Sequence, residues 1–412
     1  MRIAVVNNFF PPRPGGSSHL ADHLAKKYAE AGHEVLVLTA GYGDAPPKEA
    51  RDGFRIVRVP AWTMPKTRFA ANFDIAFTIS PKAKKIVFAI LDDFRPDVVH
   101  QHGQFFDLTW LSGWWARKRK IPTLLSIHTR LFSPNPVNNF IYTAADAMLV
   151  KPLMSLHKPR LVVMDVLMDQ YIDARYARAH SGKVYIPVGI DPNALTGGNA
   201  AVARRKLDLG DRHLILSLGH VIPQRSRVAL VEALPTVLRQ FPDIAVVVIG
   251  GVYHDEFLHR AKELGVDHAI YARGALPQSE VPDFLAAADL EVHELDGQGF
   301  GTASLESLAV GIPVVAAIRP DNFVEVVIED GKHLFLSPFV GGRDERADPQ
   351  GLAETLIKVL SDPAAAREQV AEHAKKLIDE HFTIDRVAVK HLNVLNELAG
   401  PRAHPDKPRP PH

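Results

Sequence analysis

The chain has 412 residues, of which 46% are apolar and 23% are charged, and its formal net charge is +1. This length predicts two or three domains, and the composition excludes a disordered, collagen-like or coiled-coil chain. Because the chain has no cysteine, a disulfide framework, a thiolate nucleophile and a cysteine-bound metal are excluded as well.

Short β-branched runs alternate with stretches of helical periodicity in the first half of the chain. Apolar residues at helical spacing predict a helix over Ser18–Ala31, which Gly32 ends. Such alternation is typical of βαβ units and of a mainly parallel sheet. The runs that predict strands are Ile3–Val6, Glu34–Thr39, Phe54–Val59, Val98–His100, Thr123–Ile127, Arg160–Met164 and Val184–Ile186.

The second half repeats this alternation. The predicted strands are Leu214–Gly219, Ile244–Gly250, Ala269–Tyr271, Leu290–His293 and Val314–Ala316, and the predicted helices are Val228–Gln240, Phe257–Leu264, Glu280–Ala288, Ala303–Val310, Leu352–Leu360, Ala364–Glu380 and Ile384–Ala399. Two sets of five or more strands exceed one core, so the sequence predicts two doubly wound α/β domains, residues 1–195 and 200–382. The polar stretch near Pro192–Ala203 is the predicted boundary, and the proline-rich tail 401–412 is predicted to be disordered.

The two predicted halves differ in charge. Residues 1–195 carry a net charge of +9 and the remainder carries −8, which can indicate a charged partner for one of them. Met1–Val6 runs directly into a strand without an export signal, and no apolar run approaches the roughly 20 residues of a membrane-spanning helix. The expected location is the cytoplasm, and peripheral contact with the inner membrane face stays open.

Two loops after predicted strands have residues that suit an anionic ligand. Gly15 and Gly16, in FPPRPGGSS, precede a helix whose free N–H groups favour an anion, although a simple turn explains them equally well. The segment GHVIPQRSR, Gly219–Arg227, contains His220 and Arg225. An arginine can hold a phosphate through two hydrogen bonds, and the alternative is a solvated loop.

A third loop and three histidines add candidate binding groups. The segment GQGFGTASLE, Gly297–Glu306, places a carboxylate among apolar residues, where it needs partners such as the two hydroxyls of a ribose. The alternative is that Glu306 caps a neighbouring loop. His128, His100 and His102 end strands, where open α/β sheets bind ligands, although structural histidines are the alternative.

Taken in chain order, these segments resemble glycosyltransferase family 4, the retaining nucleotide-sugar transferases of the GT-B fold. The resemblance runs from Met1 to about Leu398. It implies two facing Rossmann-like domains, with the acceptor bound by the first and the donor nucleotide by the second, and a last helix, 384–399, that returns to the first. The segments that carry it are GGSSHLADHLAKKYAEAGHEVLVLT, VVHQH, the His128 loop, IPVGID at Ile186–Asp191, GHVIPQRSR, GQGFGTASLESLAVGIPVVA and HFTID.

The resemblance also implies roles for the matching positions. Gly16 would let backbone N–H groups reach the donor diphosphate, and His128 would lie near the reacting end of the sugar. His220 and Arg225 would hold the diphosphate, and Glu306 would bind the ribose. The implied catalytic residues are His128, Arg225 and Gln298, and the implied donor-binding residues are Gly15, Gly16, His220, Arg225, Gly299, Phe300, Gly301, Thr302 and Glu306.

Three positions depart from the family pattern. Gln298 stands where the family usually has Glu, His220 replaces one member of a basic pair, and Ser226 replaces a glycine. Glutamine still donates and accepts hydrogen bonds, so it could bind the sugar. A histidine with an unperturbed pKa near 6.5 would be only partly charged at neutral pH. These changes bear on turnover and on the identity of the sugar more than on the fold.

The implied reaction is transfer of a hexosyl unit from a UDP or GDP sugar to a hydroxyl of a glycolipid, a glycan or a small metabolite. The acceptor hydroxyl would attack from the face that the diphosphate leaves, and the diphosphate would accept the proton, with no protein nucleophile, metal or other cofactor. Domain closure would hinge near Pro192–Gly198 and Phe382–Ile384. Alternatives are a non-catalytic nucleotide-sugar-binding regulator and a GT-B epimerase or phosphorylase.

The acceptor side carries one further pattern. Gly113–Lys120 reads GWWARKRK and Pro81–Lys85 reads PKAKK, which suits an anionic membrane interface or a lipid-linked acceptor. The alternative is a buried pair of tryptophans on a helix whose other face is solvated. No nucleic acid partner is expected.

Overall fold

The structure is a computed structural model, and it describes residues 1–13, 15–64, 75–78, 82–133, 135–223, 225–293, 300–340 and 346–400. The predicted tail 401–412 and two of the predicted site residues, Gln298 and Gly299, lie outside the described residues.

The first half of the chain forms an eight-stranded sheet. Its strands are β1 (Arg2–Asn7), β2 (Glu34–Ala40), β3 (Lys48–Arg51), β4 (Phe54–Val59), β7 (Val98–His102), β8 (Thr123–Ser126), β9 (Arg160–Val163) and β10 (Gly182–Tyr185), with the small separate pair β5 (Trp62–Met64) and β6 (Ile75–Phe77) between them in the chain. The order across the sheet is β10-β9-β8-β7-β1-β2-β4-β3, and neighbours are parallel except β3 and β4. The central strands β1 and β7 are buried on both faces, as in sheets covered by helices on both sides, although β7 (VVHQH) has three polar residues.

Helices cover both faces of this first sheet. They are α1 (Gly16–Glu30), α2 (Ala83–Phe94), α3 (Asp107–Arg119), α4 (Pro136–Ala145), α5 (Lys151–His157) and α6 (Val166–Tyr176). The π-helical turn Asp146–Val150 joins α4 to α5, so that 136–157 is one continuous helical segment. Helix α1 packs on one face, and α2, α3, α5 and α6 pack on the other.

The second half forms a six-stranded, fully parallel sheet in the order β13-β12-β11-β14-β15-β16. These strands are β11 (His213–Leu218), β12 (Ile244–Ile249), β13 (Ile270–Gly274), β14 (Leu290–His293), β15 (Val314–Ala316) and β16 (Phe335–Leu336), and β17 (Phe339–Val340) pairs separately with β18 (Arg346–Ala347). The helices are α7 (Ala200–Lys206), α8 (Val228–Gln240), α9 (Glu256–Leu264), α10 (Val281–Ala287), α11 (Thr302–Ala309), α12 (Pro349–Leu360) and α13 (Pro363–Leu377).

The predicted α/β class with two doubly wound, mainly parallel sheets is confirmed. One predicted helix was wrong in extent: α13 ends at Leu377, and the π-helical turn Ile378–Phe382 follows it. Helix α7 occupies part of the segment that was predicted as an irregular boundary. Within the described part of the chain, no helix has the length and apolar character that crossing a bilayer requires.

The chain passes between the two sheets at two adjacent places. Ile190 N donates to Phe382 O at 2.8 Å and Ile384 N donates to Ile190 O at 2.7 Å, which pairs the two crossing segments. The last helix, α14 (Ile384–Ala399), then packs against α1, with Val387 and Leu395 buried in the core of the first sheet. The helix that ends the described chain therefore completes the first domain.

Candidate functional site

The candidate site lies at the carboxyl ends of strands from both sheets. The loops after β1 and β8 belong to the first sheet, and the loops after β11 and β14 belong to the second. Arg130, in the loop after β8, is close enough for its charge to lower the pKa of Arg225, in the loop after β11. The two sets of loops therefore face each other across a cleft, where parallel α/β sheets bind ligands.

The loop after β1 ends in glycines that leave backbone groups accessible. Gly15 has φ of +143°, a conformation that favours glycine, and a Cβ atom on Gly15 or Gly16 would meet no described atom within 4 Å. Helix α1 starts there with no side-chain cap and no acidic residue in its first turn. Ser18 Oγ donates to Arg13 O at 2.7 Å and holds the loop. The first N–H groups of α1 can thus bind an anion.

His128 follows β8 and is joined to a histidine of the neighbouring strand. His102 Nδ1 lies 2.9 Å from His128 Nε2, and the two rings are stacked. Burial, with a smaller effect of His391, lowers the pKa of His128 to about 4, and burial also holds the pKa of His102 well below its usual range. Both rings are therefore neutral near pH 7.

The surroundings of His102 indicate which ring carries the shared proton. His102 is fully buried, and its Nε2 meets no hydrogen-bonding partner among the described residues. A buried N–H without an acceptor is rarer and less favourable than a buried lone pair without a donor. We infer that His102 donates from Nδ1 to His128 Nε2, so that His128 carries its own proton on Nδ1 as a hydrogen-bond donor.

Two more buried histidines tie this pair to the last helix. His100 contacts Tyr28 Oη through Nδ1 at 3.1 Å and Ser126 Oγ through Nε2 at 2.9 Å. Its ring lies 5.1 Å from the ring of His391 on α14, and burial lowers the pKa of His391 to about 4. The histidines that end β7 are thus structural members of a buried cluster, as the alternative interpretation of His100 and His102 expected.

The loop after β11 is built around an arginine that sequence analysis did not select. Arg227 is buried at φ of +65°, and its guanidinium donates to Ser217 Oγ at 2.8 Å and to the carbonyls of Leu218 and Gly219 at 3.0 and 3.1 Å. Gly250, at the end of β12, allows this loop to pass closely, because a Cβ atom there would lie 2.2 Å from Gly219 O. Arg227 therefore shapes the loop.

His220 and Arg225 project from that loop with different electrostatic properties. His220 Nδ1 accepts from Gly251 N at 3.0 Å, and burial, followed by the charges of Arg225 and Arg227, lowers its pKa. Burial and the same kind of repulsion from Arg227 and Arg130 lower the pKa of Arg225 to about 10, so it stays a cation at neutral pH. Its Nε has no hydrogen-bonding partner within the described chain. The predicted basic pair is thus one cation and one neutral histidine.

The predicted donor-binding residues of the loop after β14 lie partly in the core and partly at the site. The Phe300 side chain is buried, with its ring 4.8 Å from His293 and 6.2 Å from Phe323, so its backbone is the part that a ligand could contact. Gly301 and Thr302 begin α11, which also has no side-chain cap and no acidic residue in its first turn.

A buried polar group supports the start of α11 from below. Ser304 Oγ donates to Glu291 Oε1 at 3.1 Å and lies 2.7 Å from His293 Nδ1. Glu291 is fully buried on β14, and burial raises its pKa to about 8, although Ser304 and the charge of Arg227 act in the opposite direction. A glutamate inside the apolar strand LEVH was the available sequence signal for this group.

Glu306 lies one helical turn further along α11 and is half-buried. Burial raises its pKa to about 7, and a hydrogen bond with the Gln278 side chain partly offsets that shift. Gln278 belongs to the 3₁₀ turn Gln278–Glu280, so Glu306 contacts a neighbouring loop. The two roles considered for Glu306, ribose binding and loop capping, both fit this position.

The tryptophan pair of the first domain is divided rather than buried together. Trp115 is buried and donates from Nε1 to Asp92 at 2.9 Å. Trp114 is 39% exposed, and Lys84 Nζ lies 3.7 Å from the centroid of its ring. The interpretation of GWWARKRK as a buried pair is wrong for Trp114, because consecutive helical residues point about 100° apart.

No group of three or more His, Asp or Glu residues in the described ranges is arranged to hold a metal ion. The expectation that the reaction needs no metal or other cofactor stays a prediction.

Two family descriptions match most of the chain. Residues 15–179 match a glycosyl transferase 4-like domain, and residues 200–377 match glycosyl transferases group 1. The first match contains the Gly15 loop and His128, and the second contains Arg225 and Glu306. Each family match thus includes one side of the cleft.

The sequences of two named relatives align with nearly the whole chain. The GDP-mannose-dependent alpha-(1-6)-phosphatidylinositol monomannoside mannosyltransferase of Mycolicibacterium smegmatis is 28% identical over 385 residues, which are 88% of this chain and 90% of that protein. The alpha-monoglucosyldiacylglycerol synthase of Streptococcus pneumoniae is 26% identical over 404 residues, which are 93% of this chain and 83% of that protein.

A solved structure shares the fold over its full length. Sucrose-phosphate synthase from Thermosynechococcus elongatus superposes with a TM-score of 0.71 at 18% identity, covering 97% of this chain and 99% of that chain. At this identity the likeness concerns the fold, which is GT-B, and the predicted fold class is confirmed.

Proposed function

Because this chain belongs to the glycosyltransferases of family 4, we propose that it transfers a hexosyl unit, with retention, from a nucleoside diphosphate sugar to a lipid-linked hydroxyl. UDP and GDP are the proposed nucleotides. One relative depends on GDP-mannose and is named for a phosphatidylinositol mannoside, and another makes a glucosylated diacylglycerol, which supports GDP as one of the two nucleotides and a lipid-linked acceptor.

The observation that carries the proposal is the positive charge that faces the cleft from both domains. Arg225 and Arg130 approach each other from opposite sheets, and the resulting repulsion contributes to lowering the pKa of Arg225. Two guanidinium groups at such a place become favourable when an anion lies between them. A diphosphate would satisfy this requirement, with the uncapped start of α1 at Gly15 and Gly16 as a further source of N–H donors.

The remaining polar groups have proposed roles along the donor. Glu306, when ionised, would accept hydrogen bonds from the ribose hydroxyls, and Gly301 and Thr302 would present the first N–H groups of α11. Gly299 and Gln298 would contribute to the same pocket as implied by the family resemblance. His128, with its proton on Nδ1, would donate a hydrogen bond near the transferred sugar.

The proposed reaction forms one bond and breaks one at the anomeric carbon. The acceptor oxygen bonds to that carbon on the face from which the diphosphate oxygen departs, and the acceptor proton passes to the departing diphosphate. The contribution of the protein is to position both substrates and to stabilise the growing negative charge on the diphosphate, chiefly through Arg225. No protein nucleophile and no metal enter this scheme.

A screen of thermal stability against UDP-, GDP-, ADP- and dTDP-sugars tests donor binding. We expect one nucleotide class to raise the melting temperature, because a ligand that binds only the folded state stabilises it. Release of nucleoside diphosphate on addition of glycolipid acceptors would then establish transfer. Binding without release across the acceptors would favour a non-catalytic regulator, for which the uncharged His220 and Gln298 are the motivation. No stabilisation by any of the four classes would contradict the proposal.

A further inference from the structure

The exposed large apolar side chains of the protein are concentrated on one helical segment. Of the fourteen such side chains among the described residues, seven lie between positions 132 and 156. Phe140 and Met148 are 73% and 75% exposed, which is more than any other large apolar side chain in the described part of the molecule. We define the α4–α5 apolar face as Val137, Phe140, Ile141, Met148, Leu149 and Leu156.

This face belongs to a firmly anchored segment. Asp146, in the π-helical turn, accepts from Tyr171 Oη at 2.6 Å and from Tyr176 Oη at 2.5 Å. Val150 and Met154, on the inner side of the same segment, are buried in the core. The inner contacts therefore hold the segment in place, and the outer apolar residues make no contribution to that core. Contiguous apolar surface of this kind marks an interaction site.

The charges around the face identify its partner. Within 130–158, the basic residues are Arg130, Lys151 and Lys158, and the one acidic residue, Asp146, is buried and bound to the two tyrosines. Helix α3, which packs against α5, adds exposed basic residues from Arg117 to Lys120. Apolar side chains rimmed by lysine and arginine suit a negatively charged bilayer surface.

We propose that the α4–α5 apolar face inserts into the interface of an anionic lipid bilayer, with Lys151 and Lys158 contacting lipid phosphates. A second copy of this chain is a poorer partner, because pairing the face with itself would bring its lysines together. The exposed Trp114 with Lys84 lies on α3 and α2, next to the proposed surface, and its composition suits the same interface.

The position of the face relative to the cleft gives the contact a purpose. Arg130 lies in the loop that leads from β8 into this segment, six residues before α4 begins at Pro136, and its charge acts on Arg225 of the second domain. A bilayer at this face would therefore hold the cleft beside lipid headgroups, where a lipid-linked hydroxyl is presented. This last step rests on the proposed function, whereas the membrane contact stands without it.

Sedimentation with vesicles tests the contact on the full chain. We expect binding to vesicles of phosphatidylglycerol mixed with phosphatidylcholine, and much weaker binding to phosphatidylcholine alone. The double variant Phe140→Ser, Met148→Ser should weaken the binding at least tenfold, and Lys151→Gln, Lys158→Gln should weaken it and reduce its dependence on salt. The matched control is Val327→Ser, Val389→Ser, which changes two exposed valines outside the face and should bind as the unchanged protein does.

Three results would overturn the proposal. The first is vesicle binding by the Phe140→Ser, Met148→Ser protein that equals that of the wild type. The second is equal binding of the wild type to both kinds of vesicle. The third is a self-associated mass by light scattering that the same double variant abolishes, since that would assign the face to a second copy. Thermal stabilisation by nucleotide sugars, measured on every variant, separates a failure of the membrane contact from a failure of donor binding.

Discussion

Arg225 carries the one full positive charge on the loop after β11 that is directed to the proposed diphosphate, since His220 is neutral and Arg227 is engaged with the loop backbone. Its partly unsatisfied guanidinium is the group that a diphosphate would complete. At the scale of single residues, the affinity of the cleft for an anionic donor should therefore depend on this side chain above the others.

Arg225→Gln should weaken binding of the nucleotide sugar by roughly 10- to 100-fold, because hydrogen bonds to charged groups contribute about 1.5–3 kcal/mol. Arg225→Lys keeps the charge but loses the forked geometry, so its loss should be smaller. Titration calorimetry with the nucleotide sugar that stabilises the protein most would measure both. Arg239→Gln, at the exposed end of α8, is the control, and equal affinities for all four proteins would exclude Arg225 from donor binding.

Glu306 should make donor binding depend on pH. Its pKa is about 7 and its ionised form accepts the ribose hydrogen bonds, so affinity should rise with pH and level off above 7, changing about tenfold per pH unit well below it. Glu306→Gln should bind more weakly at high pH and lose this dependence. Isothermal titration over a pH series would measure it, and a wild-type pH dependence that survives in the variant would contradict the assignment.

Glu306 should make the stability of the ligand-free protein fall as the pH rises, whereas it should make donor affinity rise. Its pKa is raised from 4.5 to about 7, so the folded state holds the proton more tightly than the unfolded state does. The contribution of this bound proton to the free energy of unfolding is complete below pH 4.5 and is lost as the pH rises toward 7. Urea unfolding at several pH values, compared between the wild type and Glu306→Gln, would detect this difference.

His102 should act on the reaction by orienting His128. His102→Leu removes the proposed Nδ1 donor, and we expect kcat to fall roughly tenfold or more while affinity for the donor nucleotide is retained. His102→Asn keeps an N–H donor near the same place and should recover part of the loss. The ¹⁵N chemical shifts of the His128 ring report its tautomer directly, and an unchanged tautomer in His102→Leu would contradict the inference.

Some residues of the site could be predicted from the sequence and others could not, for a physical reason. Gly15 and Arg225 follow apolar strands, and the ends of parallel strands are where ligands bind, so their positions in the chain already indicate the site. Arg227 is also an arginine and lies two residues after Arg225, but its side chain turns inward and donates to carbonyl groups. The direction of a loop side chain depends on backbone angles that the sequence pattern does not specify.

At the scale of elements, the strands were easier to predict than the helices that lie between them. β-branched runs such as Ile244–Ile249 are buried on both sides and read as continuous apolar segments. Helix α3 mixes Asp, Trp, Gly, Lys and Arg, so no single apolar stripe marks it. The segment 136–157 presents apolar residues to solvent as well as to the core, which removes the contrast that helical periodicity requires.

The contact between α14 and the first sheet should contribute to stability in a pH-dependent way. His391 is buried, and its pKa is lowered from 6.5 to about 4, so the folded state resists its protonation. The stability that depends on neutral His391 is complete above pH 6.5 and is lost as the pH falls toward 4, by up to roughly 3 kcal/mol.

His391→Leu should flatten the fall in unfolding free energy between pH 6.5 and 4. Urea unfolding would measure the free energy at each pH, and the values near pH 7.5, where the histidine is neutral in both states, serve as the reference for the packing change alone. The same slope in both proteins would show that the acid sensitivity comes from other groups, of which His100 and His128 are candidates because burial lowers the pKa of both.

At the scale of the whole molecule, opposite net charges meet around a cleft that is locally positive. The halves carry +9 and −8, yet Arg225 of the acidic half and Arg130 of the basic half face each other. The two-sheet arrangement could be predicted from strand count. The approach of these two side chains could not, because it depends on the pairing of Ile190 with Thr383 where the chain crosses between domains.

Inorganic pyrophosphate should draw the two domains together. An anion between Arg225 and Arg130 replaces repulsion by attraction, so we expect a smaller radius of gyration by small-angle X-ray scattering and a higher melting temperature, both weaker at high salt. Arg225→Gln should reduce both responses. A melting temperature that rises without compaction would indicate binding to an already closed cleft and would contradict the closure.

The return of α14 to the first sheet has a consequence for the order in which the protein is made. On the ribosome, residues 1–195 emerge long before Ile384–Ala399, although Val387 and Leu395 belong to the core that contains Leu24 and Val35. The core of the nascent first domain therefore stays incomplete, with an apolar groove beside α1 uncovered, until the entire second domain has been translated. A chain released early, before residue 384, would expose that groove and would be a natural client for chaperones.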